Sequence, residues 1–187
     1  MLSVIIATQD SERALVPTLA ALVSGATAGL ISEVLVADGG SRDDTAAVAE
    51  IAGCNFMAMD GGTARRLKGA AAKARAPWLL FLRPGTILDE PWIRDAQRFM
   101  ERASRTDSAA VFRRGAPAQS SLREALSMLA TALGGRPRPE QGLLIGKEFY
   151  ASLGGHAEPA ADPETDLLRR IGRRRIVRLP AIAYSAA

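Results

Sequence analysis

Two apolar, β-branched runs dominate the N-terminal part of the chain, LSVIIAT at residues 2–8 and ISEVLVADGG at residues 31–40. Between them lies a helical pattern of leucines: Leu15, Leu19 and Leu22. We expect this helix to begin after Asp10 or Ser11 and to end near Gly25, because these residue types favour helix ends. A strand, a helix and a second apolar strand in this order are typical of a β-α-β unit with parallel, buried strands.

The alternation of strands and helices continues through the first half of the chain. A capped helical pattern (TAAVAEIAG), a short strand (CNFMAM), a helix (TARRLKGAAAKAR) and a fully apolar strand (WLLFL) follow in turn. The second half is less regular, with helical patterns in PWIRDAQRFMERA, Ser121–Leu133 and ADPETDLLRRIG and strand patterns in SAAVFRR, GLLIG and RIVRLP. The order predicts an α/β fold with a mostly parallel central sheet flanked by helices.

Composition and length limit the class of protein. The chain has 187 residues, 48% of them hydrophobic and 24% charged, which fits a single globular domain. Its net charge of +4 is modest and its arginines are scattered, so we expect no nucleic-acid partner. Cys54 is the only cysteine and no run of about 18 apolar residues is present. We therefore expect a cytoplasmic protein with at most peripheral membrane contact.

Polar residues follow three of the expected strands. Thr8 closes the first strand, Asp38 closes the second, and Arg83 follows WLLFL in the sequence Arg-Pro-Gly-Thr. Parallel sheets bind their ligands beyond the carboxyl ends of the strands. These three positions are therefore the first candidates for a binding site.

Five blocks of sequence resemble the bacterial family-2 glycosyltransferases with the GT-A fold, particularly the short, soluble members. The blocks are SVIIATQDSE, EVLVADGGSRDDT, GTARRLKGAAAKARAPWLLFLRPGT, EQGLLIGKEFYASLGG and ETDLLRRI, in the family's order. The resemblance covers nearly the whole chain. It implies one nucleotide-diphospho-sugar transferase-like domain, with a nucleotide-binding half at residues 1–90 and an acceptor-side half at residues 91–187.

In that family a sugar passes from a nucleotide-sugar donor to an acceptor hydroxyl, and the resemblance implies which residues hold the donor. Asp38 matches the acid that meets the base or the ribose, where a carboxylate accepts strong hydrogen bonds. Its alternative role is to shape a turn with Gly39 and Gly40. Thr8 and Asp10 match the loop that lines the nucleotide pocket, although Asp10 also fits a helix cap.

A basic pair in the third helix matches a block that approaches the donor. Arg65 or Arg66 could place two N–H donors on a phosphate, and we select Arg65. For either residue alone, the alternative is a solvated helix face.

The strand end at Arg83 departs from the family pattern. Where relatives carry an acidic DxD-type motif that holds Mg²⁺ or Mn²⁺, this chain has Arg83, Pro84, Gly85 and Thr86. We predict no metal ligand here, because a divalent ion needs several oxygen ligands, commonly with a carboxylate among them. A metal cofactor is implied by the resemblance alone. Arg83 is our proposed stand-in, since an arginine can offset charge on a leaving phosphate.

The general base of the family falls on Glu164. A base must lie within hydrogen-bonding reach of the acceptor proton, so a glutamate one methylene longer requires a moved loop. The alternative is structural: Asp162 caps the helix, and Glu164 and Asp166 complement its dipole.

Other matches lie on the acceptor side. Gln141 matches a family glutamine, Gly154 and Gly155 match a Gly-Gly-Phe turn, and Arg169 matches a basic position in the following helix. His156 stands in place of the turn phenylalanine, and we expect it to be a surface residue without a role.

Two functions are favoured by the sequence, and a nucleotidyltransferase is a weaker third, because the Gly-rich first loop with Arg and Lys is absent after SVIIAT. One is glycosyl transfer from a nucleotide sugar to an unknown acceptor without a metal ion. The other is a catalytically inactive GT-A-like protein that binds a nucleotide, a sugar or a partner protein.

Overall fold

The computed structural model describes residues 1–115, 136–158 and 160–185. The leucine-patterned helix expected at Ser121–Leu133 lies outside these residues. In the part of the chain that is described, no helix is long and apolar enough to cross a membrane.

Strands and helices alternate through the described chain. In order they are β1 (Leu2–Thr8), α1 (Glu12–Thr27), β2 (Ile31–Asp38), α2 (Thr45–Ile51), β3 (Asn55–Ala58), α3 (Thr63–Lys73), β4 (Trp78–Leu82), β5 (Thr86–Leu88), α4 (Trp92–Arg102), β6 (Ala109–Arg114), β7 (Leu143–Gly146), α5 (Lys147–Ser152), α6 (Pro163–Ile171) and β8 (Ile176–Ser185). Short 3₁₀ turns precede β7 and β8, at Pro139–Gln141 and Arg173–Arg175.

The eight strands form one mixed sheet in the order β3-β2-β1-β4-β7-β6-β8-β5. The first four strands along the chain pair in parallel, with β1 between β2 and β4. Beyond β4 the direction changes: β7 is antiparallel to both β4 and β6, β8 is parallel to β6, and β5 is antiparallel to β8. The α/β fold with a mostly parallel sheet is confirmed, and the reversal at β7 is what the sequence pattern did not indicate.

Helices cover both faces of the sheet, and the core is built from mainly aliphatic side chains. All five residues of β4 are buried, as expected for a central strand. On one face α1 and α4 pack through Leu15, Leu19, Trp92 and Phe99. On the other face α3, α5 and α6 pack through Leu67, Ala70, Phe149, Tyr150, Leu167 and Ile171. The loops at the carboxyl ends of β1, β2 and β4 stay free of this packing.

Helix α1 ends at Thr27, two residues beyond Gly25, which is close to the expected end. Gly25 is buried beside Trp92, and a Cβ at Gly25 would lie 2.5 Å from the indole ring. This glycine therefore permits close packing of α1 against α4 instead of ending the helix.

The C-terminal strand is longer than RIVRLP, because β8 runs on through Pro180 to Ser185. The pairing of β8 with β6 shifts register between Val111 and Arg113. Such an irregularity accommodates a proline, which has no N–H to donate to the ladder. The extension of β8 also pairs with β5, the short strand formed by Thr86–Leu88.

Candidate functional site

A cleft of ≈ 670 Å³ lies at the carboxyl ends of β1 and β4. Its walls are the loop after β1, the first turn of α3, the turn after β4 and the segment that enters α6. The cleft residues used below are Thr8, Asp10, Thr63, Arg66, Arg83 and Glu164. The structure thus brings the carboxyl ends of β1 and β4 next to the beginning of α6.

Asp38 ends β2 beside Thr8 and is 2% exposed. Its Oδ1 accepts a hydrogen bond of 2.8 Å from Thr8 Oγ1, and its Oδ2 accepts bonds of 2.8 Å from the N–H groups of Gly40 and Ser41. Burial by itself raises the pKa of Asp38, but these hydrogen bonds outweigh it and hold the pKa below the ordinary value. Asp38 is an ionised carboxylate that shapes the turn after β2, and a contact to a nucleoside stays a prediction.

Asp10 ties the loop after β1 to the loop after β2. Its backbone φ is +47°, in the left-handed region that aspartate tolerates better than most residues. The Asp10 Oδ1 accepts a hydrogen bond of 2.7 Å from the Arg42 N–H, and the Asp10 N–H donates to Ser41 Oγ at 2.8 Å. Ser11 occupies the N-cap position of α1 and makes no side-chain hydrogen bond to the helix. The carboxylate of Asp10 accepts from Arg42, so it shapes the cleft wall and does not cap the helix.

Of the two neighbouring arginines in α3, Arg66 lines the cleft, whereas Arg65 was the one selected from the sequence. Arg66 is 5% exposed; its Nη1 donates to the carbonyl oxygen of Thr8 at 2.9 Å and its Nη2 donates to Thr63 Oγ1 at 3.2 Å. The Nε of Arg66 is buried without a hydrogen-bond partner, and Arg66 has no ion-pair partner among the described residues. Arg65 is exposed and lies 3.7 Å from Glu158, outside this cleft.

A signal for Arg66 was present in the pattern of α3. Ala70, four residues beyond Arg66, is buried, and residues four apart share one face of a helix. Applying the helical period to TARRLKGAAAKAR would have separated buried Arg66 from exposed Arg65.

Arg83 projects from the turn after β4, and α1 holds this turn in place. The Gly85 N–H lies 2.8 Å from the carbonyl oxygen of Ala14 and 2.9 Å from Thr18 Oγ1. Gly85 has φ +87°, a conformation that favours glycine. The sharp turn ends β4 and points Arg83 across the cleft.

Three carboxylates surround the guanidinium of Arg83. Its Nε lies 2.6 Å from Glu164 Oε2, its Nη1 lies 3.1 Å from Glu140 Oε1, and its Nη2 lies 3.3 Å from Asp162 Oδ1. Glu164 is the most enclosed of the three, with a side chain 15% exposed against 41% for Glu140 and 48% for Asp162. Arg83 and Glu164 were predicted as separate members of the site, and the structure shows them as an ion pair.

Burial raises the pKa of Glu164, and Arg83 only partly offsets this, so the pKa stays above its ordinary value. For Arg83, burial lowers the pKa, but the carboxylates, Glu164 foremost, hold it above its ordinary value. The guanidinium therefore stays charged, whereas the carboxylate of Glu164 gains a proton more readily than an exposed glutamate.

The residues at this strand end do not fit a divalent metal ion. Among the described residues, no group of three or more His, Cys, Asp or Glu side chains is placed to hold one. Mg²⁺ and Mn²⁺ take oxygen ligands at short distances, and here a guanidinium lies between the carboxylates.

Gln141 is 2% exposed, and both ends of its side-chain amide are hydrogen-bonded to backbone groups. Its Nε2 donates to the carbonyl oxygen of Phe112 at 2.6 Å, and its Oε1 accepts from the Arg138 N–H at 2.8 Å. Gly154 and Gly155 form the turn after α5, with φ of +79° and +70°. None of these residues lines the cleft, and their contact with an acceptor stays a prediction.

Arg169 is exposed and its Nη2 lies 2.6 Å from Asp166 Oδ1, one turn earlier in α6. It does not line the cleft either. Asp162 caps α6, as the structural alternative predicted, by accepting from the Thr165 N–H at 3.2 Å. The same carboxylate also reaches Arg83, so the cap and the cleft share one side chain.

The expectation that His156 is a surface residue is wrong, because it is 2% exposed. Its Nδ1 lies 2.8 Å from the Tyr150 hydroxyl, which also accepts from the His156 N–H at 3.1 Å. Burial, reinforced by the positive charge of Arg170, lowers the pKa of His156 to about 3. His156 is therefore a neutral core residue that fixes the turn after α5.

Comparison with known proteins identifies the family. The model of glycosyl transferase family 2 matches residues 3–149. No curated protein matches the chain.

Solved structures share the fold at low sequence identity. Glucosyl-3-phosphoglycerate synthase from Mycobacterium tuberculosis, in complex with Mn²⁺, UDP and glucosyl-3-phosphoglycerate, is 18% identical with a TM-score of 0.69, and the match covers 100% of this chain and 70% of that one. TarS 1–349 from S. aureus, in complex with UDP-GlcNAc, is 16% identical with a TM-score of 0.74, covering 100% of this chain and 58% of that one. This chain thus spans less than two thirds of TarS 1–349. With the family model matching most of its length, the chain belongs to glycosyl transferase family 2, with the GT-A fold.

Proposed function

We propose that the protein transfers a sugar from a nucleotide-sugar donor to the hydroxyl of an acceptor. The observation that carries this is Arg66, a buried cation in the cleft wall without an ion-pair partner among the described residues. A buried charge is costly unless it is paired, so a site of this kind favours an electron-rich ligand. Membership of the family and the UDP and UDP-GlcNAc complexes of the neighbouring structures support a nucleotide sugar as that ligand.

The nucleoside part of the donor would lie over the ends of β1 and β2. There Thr8 and Asp10 form the wall, Asp38 holds the turn, and Arg66 supplies the positive charge. The hydrogen bonds that fix Asp38 and Asp10 prevent their movement when a ligand binds. This rigidity lowers the entropic cost of binding.

We propose further that the reaction runs without a divalent metal ion. The strand end offers Arg83 in place of a carboxylate, and an arginine stabilises negative charge on a leaving phosphate. The expected result is donor binding and turnover that persist when EDTA removes divalent ions.

Glu164 is the proposed general base toward the acceptor hydroxyl. It lines the cleft, and burial raises its pKa toward the range in which a base works near neutral pH. Its Oε2 accepts from Arg83, which leaves Oε1 as the atom that would take the proton.

The second candidate function is a binding module without catalysis. The ion pair of 2.6 Å between Arg83 and Glu164 favours it, because a carboxylate held by a guanidinium is a weaker base. The sequence Arg-Pro-Gly-Thr at residues 83–86, in place of the family's acidic metal-binding motif, also favours a binding module.

The two functions are separated by one set of measurements. UDP-glucose, UDP-GlcNAc and GDP-mannose are first screened by thermal shift with EDTA and with Mn²⁺, since a ligand of the folded state raises Tm. Release of nucleoside diphosphate from the best ligand is then followed in wild type and in Glu164→Gln. Turnover lost in the variant with binding kept supports the transferase. Binding without turnover in wild type supports the module, and strict dependence on Mn²⁺ contradicts the metal-free mechanism.

A further inference from the structure

The cluster around Arg83 is unbalanced in charge. One guanidinium faces the carboxylates of Glu140, Asp162 and Glu164, which leaves two excess negative charges. A donor diphosphate is itself an anion and would enter the same cleft. Like charges at such short distances repel strongly in a partly buried site, so the cluster cannot stay as it is when a diphosphate arrives.

The cluster also joins three separate parts of the fold. Arg83 follows β4, Glu140 belongs to the 3₁₀ turn before β7, and Asp162 and Glu164 lie at the start of α6. Of the three partners, Glu164 has the shortest contact and the most enclosed side chain. Glu140 is partly exposed and can turn into water, and Asp162 is partly exposed and keeps its hydrogen bonds to Thr165. Glu164 is enclosed and has no other partner for its carboxylate among the hydrogen bonds of the described residues.

We propose that Arg83 is a positioning residue that changes partner: in this structure it holds the carboxylate of Glu164, and the diphosphate of the donor takes over the guanidinium and releases that carboxylate toward the acceptor. This inference rests on the proposed function, because it assigns an order to events at the same site. The donor binds first, and the base becomes available only afterwards. An acceptor that binds without the donor finds the Glu164 carboxylate still paired with Arg83.

The change of partner alters the pKa of Glu164, so it can be detected by measuring donor binding without measuring turnover. Glu164 faces Arg83, Asp162 and Glu140, and among these only Arg83 favours its ionised form. When the guanidinium turns to the diphosphate, burial and the two neighbouring carboxylates remain, and the pKa of Glu164 rises further. Donor binding therefore takes up a proton from solvent onto the Glu164 carboxylate at pH values between its pKa in the free and in the bound protein. At pH values above that interval the released carboxylate stays ionised, and there it serves as the base.

Linkage fixes the direction of the pH effect. Because the bound protein holds more protons than the free one, the affinity for the donor falls as pH rises through that interval, by up to about tenfold per pH unit. A nucleotide sugar is a suitable probe because its esterified diphosphate has no proton to exchange near neutral pH.

The test is calorimetric titration of the full chain with UDP-glucose, or with GDP-mannose if that is the nucleotide sugar that binds. At each pH between 5 and 9, two buffers of different ionisation enthalpy give the number of protons taken up. We expect net proton uptake in wild type and a Kd that increases with pH. Glu164→Gln removes one negative charge and the titrating group, so it should bind about tenfold more tightly at high pH, without proton uptake.

Glu140→Gln is the matched control. It removes a carboxylate from the same guanidinium, but that side chain is 41% exposed and screened by water. Its pH dependence and proton uptake should stay those of wild type. A purely structural role for the cluster would change Tm in both variants and leave the proton count at zero.

The possible results test the partner exchange and the proposed function separately. Binding of the nucleotide sugar with no proton uptake in wild type overturns the partner exchange and leaves the proposed function standing. Weaker binding by a folded Glu164→Gln also overturns the exchange. If neither nucleotide sugar binds, both the donor assignment and the exchange are wrong. Should Glu164→Gln fail to fold, the proton count of wild type decides alone.

Discussion

Gly39 lies directly against the guanidinium of Arg66, so that a Cβ at Gly39 would overlap Arg66 Nη1. The contact explains why the turn after β2 has a glycine next to Asp38. It also couples two loops of the cleft, because Arg66 can reach the carbonyl oxygen of Thr8 only if Gly39 has no side chain.

Gly39→Ala should therefore displace Arg66. We expect weaker binding of the nucleotide sugar and little change in the free energy of unfolding, because the displaced group is the far end of a flexible side chain without an ion-pair partner among the described residues. Urea denaturation and thermal shift measure the two effects. Gly62→Ala is the control, since nothing lies within 4 Å of a Cβ at Gly62. Equal affinity for the nucleotide sugar in Gly39→Ala and Gly62→Ala would contradict the close contact between Gly39 and Arg66.

Arg66→Met should separate stability from binding. The substitution removes a buried cation that has no ion-pair partner among the described residues and keeps an apolar side chain, so stability should be unchanged or higher. Donor affinity should fall by at least about tenfold, because one charge-assisted contact is lost. Arg65→Met, on the exposed side of α3, should leave affinity nearly unchanged. A loss of affinity in Arg65→Met alone would return the role to Arg65.

His156 should make the protein sensitive to acid. Its pKa is lowered from 6.5 to about 3 by burial, so the folded state holds fewer protons than the unfolded state between these values. Stability from the neutral ring is fully present above pH 6.5 and is lost as pH falls, by up to about 1.4 kcal/mol per pH unit. His156→Phe should flatten the profile of unfolding free energy between about pH 6.5 and 5. As His156 is the sole histidine, an unchanged slope would show that it is not buried and neutral.

Gly25→Ala should destabilise the protein although Gly25 lies inside a helix, where alanine is ordinarily favoured. The reason is the contact with Trp92, 2.5 Å from a Cβ at Gly25. Overpacking costs about 1–3 kcal/mol and exceeds the roughly 1 kcal/mol that alanine gains in helix propensity. Chemical denaturation measures the sum, and Ala20→Gly, on the exposed face of α1, shows the propensity effect alone. A stabilised Gly25→Ala would contradict the tight α1–α4 contact.

The N-terminal part of the fold followed from the sequence because its strands are short, apolar and separated by helical patterns. The later strands did not follow as completely. Thr86–Leu88 is only three residues long and pairs with the end of β8, almost a hundred positions away, so no local pattern indicates it. The antiparallel pairing of β7 with β4 likewise depends on tertiary contacts, since the pattern of GLLIG is the same in either direction.

The candidate site was predictable in position and less so in its contacts. Strand ends gave Thr8, Asp38 and Arg83, and the family blocks gave Glu164. What the sequence could not give is the side chain that each of these contacts, because Arg83 and Glu164 are 81 positions apart. The helical period of α3 distinguishes Arg66, which is buried and lines the cleft, from exposed Arg65.

The acidic wall around Arg83 constrains what else could occupy position 83. Arg83→Asp, which would restore an acidic strand end, places a fourth carboxylate beside Glu140, Asp162 and Glu164 with no cation among them. Mutual repulsion then holds the cleft apart unless a metal ion enters to neutralise it. The convergence of Glu140, Asp162 and Glu164 thus depends on a cation that the chain encodes as the side chain of residue 83.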